Sequence, residues 1–162
     1  MIILIPKIIL MVGLSCYLSI AVTNNILDKG TNRFLLRQML SMALLESDSI
    51  FGRGLLSRAI NSEKVSEILL HVISIVQIII SAILWCGSIQ LILAFFHNSH
   101  HLVFAINCCT IALSCFMSLW FFFWCGGLWF GYWIKTGQVQ EVHMRLVIIS
   151  IISILFINAG AL

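Results

Sequence analysis

The histidines carry the most versatile chemistry in this 162-residue chain. His97, His100 and His101 fall within one short stretch, and imidazoles this close together can share a transition metal. No cysteine or carboxylate accompanies them, so a wet turn at a membrane interface is the preferred reading over a metal site. His71 and His143 are the other candidates. If two helices carry them to the same membrane face, their ring nitrogens could ligate a haem. Hydrogen bonding of each to headgroups, backbone or water is the quieter alternative and is preferred, so no cofactor is expected. Gln77, Gln90 and Asn107 are uncharged polar groups within apolar stretches, where interhelical hydrogen bonds would offset their burial.

Several chemistries lack residues to perform them. Residues 72–134 contain no Asp, Glu, Lys or Arg. Proton-coupled pumps usually keep such a residue inside the membrane despite its cost, so this gap lowers the transporter class. There is no nucleophile with a matching base, no phosphate loop and no paired carboxylates, and an enzyme assignment therefore has nothing to stand on. The six cysteines show no metal spacing. They read as small packing residues, and the adjacent Cys108 and Cys109 point to different helix faces.

These side chains must be positioned by membrane helices. The chain is 61% hydrophobic and 9% charged, against roughly 25% charged in a soluble domain. Eleven of its fifteen acidic and basic residues lie within residues 28–67. Net charge is +3, with acids interleaved among the bases, so no nucleic-acid partner is expected. Apolar runs place spans at approximately 6–23, 66–96, 102–125 and 144–160, where a crossing needs about 20 residues; the second exceeds that, so its first turns, with Glu67 and His71, should project into the interface. For the first run a cleaved signal peptide competes with a retained helix. The absence of a basic start and the length of the run favour the helix.

The polar segment 24–65 is more than a linker. Thr31 or Asn32 can cap a helix in which Leu36, Met39, Leu40 and Ala43 recur at helical spacing. Such a helix would rest at the membrane interface with its apolar side toward lipid or bundle. Gly52 and Gly54 interrupt it, a second short turn follows over residues 55–60, and Asn61 or Ser62 can cap the next helix. Aromatic residues crowd the connector between the last two spans, from Trp120 to Trp133, and read as an interfacial belt. Within it Gly127-x-x-x-Gly131 permits close helix approach.

The order of particular residues carries a resemblance. Asn24, Asn25, Asp28, Gly30, Arg37, Ser41 and Met42, then Arg58, and later Gly127, Trp129, Phe130, Trp133, Gln140 and Arg145 resemble a family of predicted small bacterial integral membrane proteins of unknown function. The resemblance spans most of the chain. It implies four helices in a bacterial inner membrane and brings no catalytic residue. The chain departs from the family pattern where that pattern places acids, having Gln77 and Leu128 there, and in a second turn that holds histidines instead of basic residues.

The expected fold is all-α: a single membrane domain, residues 1–162, of four transmembrane helices with a short interfacial helix between the first and second. The expected protein is a multi-pass component of the inner membrane, a non-catalytic accessory or scaffold. The alternative is a protein handling a small molecule, ion or cofactor. Its partners would be the lipid bilayer and either another membrane protein or further copies of itself. Counting positive charges places segment 24–65 in the cytoplasm. The resemblance implies the reverse, with both termini cytoplasmic, and is preferred because the matched motifs sit in that segment.

Overall fold

The computed structural model describes residues 3–48, 50–97 and 101–160. In chain order its helices are α1 (Leu4–Leu27), α2 (Lys29–Leu40), α3 (Ala43–Glu46), α4 (Glu63–His97), α5 (Leu102–Trp129) and α6 (Gly137–Asn158). A 3-10 turn over Arg53–Arg58 precedes α4, and another over Tyr132–Ile134 joins α5 to α6. The described residues contain no strand. Four of the helices, α1, α4, α5 and α6, are long and apolar enough to cross a membrane. The protein is an all-α polytopic bundle, as its hydropathy requires.

Helices consecutive among these four are neighbours in space and run antiparallel. Ser15, Ser19 and Asn25 of α1 bond Ser88, Ser81 and Gln77 of α4, so one number rises as the other falls. Gln140 and Asn158 of α6 meet Trp124 and Thr110 of α5 in the same sense. Lipid is as apolar as leucine, so close packing and hydrogen bonds, rather than hydrophobic burial, must hold such helices together. The Ser15–Ser88 hydroxyls are 3.0 Å apart and the Ser19–Ser81 pair 2.9 Å. Gly87 lets α5 approach α4, since a Cβ there would stand 3.3 Å from the Cys109 Cα. Phe116, Met11, Leu84 and Leu113 fill the centre completely. Ile75, Ile79, Ile152 and Leu155 face outward, where lipid would cover them.

Several boundaries differ from the sequence reading, each for a local reason. Asp28, not Thr31 or Asn32, caps α2: its Oδ1 accepts from the Thr31 backbone N–H at 3.1 Å. A carboxylate at that position satisfies an orphan amide and meets the positive end of the helix dipole. Helix α2 stops at Leu40, so Ala43 belongs to α3 across a turn at Met42, whose φ is +54°. That left-handed conformation costs a non-glycine residue about 1–3 kcal/mol. The apolar side of α2 faces the bundle, with Leu40 buried. Helix α5 continues through Trp129 rather than ending at 125, because nothing interrupts it before Gly131 turns at φ +61°. Helix α6 starts at Gly137 instead of 144, and an i,i+4 ion pair of Glu141 with Arg145 supports its first turns.

The polar residues inside the spans also divide differently. Gln77 bonds across helices, but among the described residues neither Gln90 nor Asn107 does, and Asn107 is exposed. Lys7 lies within α1 and is buried. Its ammonium donates to the carbonyls of Ile157 and Ala159 at 2.7 and 2.8 Å, capping the C-terminal end of α6.

Candidate functional site

The polar segment folds back over one end of the bundle and meets the aromatic connector there. Asp48 accepts backbone N–H groups from Ile50 and Phe51 at 2.7 and 3.0 Å and pairs with Lys135. The Lys135 ammonium, helped by those two amides, holds the Asp48 carboxyl well below the usual carboxylate range. Arg58 donates to the Trp129 carbonyl at 3.3 Å, and its guanidinium lies 4.5 Å from the centre of that indole ring. The Ile60 N–H donates to the Leu40 carbonyl at 2.8 Å, closing the segment on itself. On the α4 side Arg37 pairs with Glu63, and Arg33 lies 3.1 Å from Glu67.

Beneath this cover lies a cavity of about 340 Å³. Leu36, Met39, Met42 and Leu45 form its roof, Trp120, Phe123 and Phe130 its aromatic side, and Asn25, Gln77, Tyr132 and His143 supply polar groups. Its size suits a small ligand, and a largely apolar wall with a few polar groups is the usual composition of such sites.

His143 is the best-positioned of these groups. Its ring stacks against Trp120 and Phe123, with centroids at 5.8 and 5.3 Å and planes 25° apart in both cases. Its Nδ1 lies 2.9 Å from the Tyr132 hydroxyl. Burial pushes the Tyr132 phenol up to about 12, so it stays protonated under ordinary conditions. Tyr132 packs there because Gly127 leaves room. A Cβ on Gly127 would come within 2.2 Å of the Tyr132 ring and 2.0 Å of Gln140 Oε1. Gln140 in turn donates to the Trp124 carbonyl at 3.0 Å. Two buried polar atoms have no partner among the described residues, Trp120 Nε1 and Gln140 Oε1.

The histidine candidates separate. His71 is exposed, its Nδ1 2.7 Å from the Glu67 carbonyl oxygen, and it lines an outer groove with Lys29 and Arg33. His143 lines the inner cavity, so the two do not converge on one hollow. His100 and the side chain of His97 lie outside the described residues, while His101 is exposed at the start of α5. Among the described residues no group of three His, Cys, Asp or Glu side chains is placed to hold a metal.

The family model described as "Predicted small integral membrane protein (DUF2165)" matches residues 3–159. The chain belongs to this family. Of the curated proteins and the solved structures, none matches the chain. The family description places the protein in a membrane and names no activity.

Most residues that carried the family resemblance gather at the covered end of the bundle. Asn25 bonds Gln77 at 2.5 Å, the Asn24 carbonyl accepts the Asp28 N–H, and Asp28 caps α2. Arg37, Arg58 and Arg145 each make an ion pair or ring contact. Met42 and Phe130 line the cavity, and Gly127 seats Tyr132. Ser41 follows the last turn of α2, Gly30 lies in its first, and Trp133 is half-exposed beside the cover. Sequence reasoning treated Trp120 and Tyr132 as anchors of a belt and did not connect Asp48 with Lys135. One signal was available: Asp48 just ahead of Gly52 is a turn-forming pattern.

Proposed function

We propose that the protein is a non-catalytic, multi-pass protein of the bacterial inner membrane that binds a small amphipathic molecule in the cavity beneath segment 24–65. This reverses the order in which composition alone ranked the two readings. The observation that carries it is His143, packed in one cluster with the mutually contacting rings of Trp120 and Phe123 and bonded to Tyr132 on the wall of the cavity.

With the phenol protonated and donating, Nδ1 accepts and the neutral imidazole bears its proton on Nε2. That nitrogen has no partner among the described residues and would donate to a carbonyl or carboxylate on the ligand. The apolar roof would cover the rest of the molecule. Bacterial inner-membrane residence rests on the family resemblance.

The test is the full-length protein purified in mild detergent, extracted with organic solvent and examined by mass spectrometry and visible absorbance. A stoichiometric small molecule present in the wild type and absent from His143→Ala and Tyr132→Phe supports the reading. A Soret band would identify the ligand as haem.

The scaffold reading keeps one observation of its own, the exposed Trp129 and Trp133 at the belt. A ligand-free preparation carrying a stoichiometric protein partner would favour it and reject the cavity.

A further inference from the structure

A second hollow, of about 420 Å³, opens on the outer face between α1, α2 and α4. Its α4 wall comprises Glu67, Leu70, His71, Ser74, Ile75 and Ile78. These positions repeat at helical spacing and cover about 16 Å along the axis at about 1.5 Å per residue. The two ends of that line differ in polarity. Lys29 and Arg33 of α2 stand at the end carrying Glu67 and His71, while Ile75 and Ile78 are exposed at the other. Arg33 is partly neutralised by Glu67 at 3.1 Å, but Lys29 has no ion-pair partner among the described residues. The groove therefore holds one uncompensated positive charge above an apolar wall.

We propose that this groove binds an anionic glycerophospholipid, with its phosphodiester beside Lys29 and Arg33 and an acyl chain along Ile75 and Ile78. Basic pockets between membrane helices bind anionic head groups by this chemistry. A zwitterionic lipid carries a cationic head-group nitrogen that would offset the attraction to Lys29. A free phosphate would use only the charged end and leave the apolar wall uncovered. The site is separate from the inner cavity, and Asn25 and Leu70 form part of the wall between them.

The experiment titrates the full-length protein in mild detergent with phosphatidylglycerol, with phosphatidylcholine of the same chains, and with glycerol 3-phosphate as a head-group probe. Bound species are read by native mass spectrometry. Phosphatidylglycerol is expected to bind more tightly than phosphatidylcholine, and Lys29→Gln to weaken it about fivefold. Glu67→Gln frees Arg33 and is expected to strengthen it, a gain that misfolding cannot mimic. Equal binding of the two lipids, or no response to either substitution, overturns the proposal. Glycerol 3-phosphate displacing phosphatidylglycerol at equal concentration would overturn it in favour of a soluble phosphate site.

Discussion

The ammonium of Lys7 lies 2.7 Å from the carbonyl oxygen of Ile157, joining the start of α1 to the end of α6. The same ammonium reaches the Ala159 carbonyl at 2.8 Å. Elsewhere α1 and α6 touch little, so this contact closes the ring of spans. The last carbonyls of a helix have no partner of their own, and a cation is favoured there.

Lys7→Met keeps the apolar stem and leaves the buried Ile157 carbonyl without its donor. Its expected cost is about 1–3 kcal/mol, read as a lower thermal midpoint in detergent by tryptophan fluorescence. Lys7→Arg should retain most of the stability. An unchanged midpoint for Lys7→Met would show that the contact contributes nothing.

Gly126 and Gly127 are adjacent and should respond in opposite ways. A Cβ at Gly126 meets nothing within 4 Å, so Gly126→Ala should be neutral or stabilise α5 by up to about 1 kcal/mol. A Cβ at Gly127 would come within 2.2 Å of Tyr132 and 2.0 Å of Gln140. Gly127→Ala should cost about 1–3 kcal/mol through overpacking and displace Tyr132 from His143. Comparison of the two thermal midpoints checks this directly.

Acid should loosen the cover. Lys135 holds the Asp48 carboxyl well below its usual range. Between the unfolded and folded values the native state binds fewer protons, so its contribution is complete above about pH 4 and is lost as pH falls further. Wild type and Asp48→Asn should therefore differ in thermal midpoint at neutral pH and converge in acid. A constant difference from pH 7 down to pH 3 would reject the linkage.

Topology follows from the contacts of the cover with the connector. In a cysteine-free background, single cysteines at Ser47 and Thr136 should label from one side of the membrane and one at Ser99 from the other. With both termini cytoplasmic, a C-terminal alkaline phosphatase fusion should be inactive. An active fusion would give segment 24–65 to the cytoplasm, as its positive charges suggest.

The four spans were legible in the sequence because hydropathy is a local sum: a run such as residues 72–96 stays apolar whatever it packs against. Lipid also tolerates no unpaired backbone, so a sufficiently long apolar run must be helical. What the tertiary structure alone decided is where distant residues meet. Asp48 and Lys135 are joined only after α4 and α5 have crossed and returned. The partners of Lys7 are carbonyls at the far end of the chain, which only the packing of α6 brings alongside. Gln77, Gln90 and Asn107 are alike as polar groups in apolar runs, yet only the rotation of α4 against α1 gives Gln77 its partner Asn25. His71 and His143 resemble each other in sequence, and packing sends one to an outer groove and the other against the paired rings of Trp120 and Phe123. A cavity is the space that several elements leave between them, and no single segment encodes it.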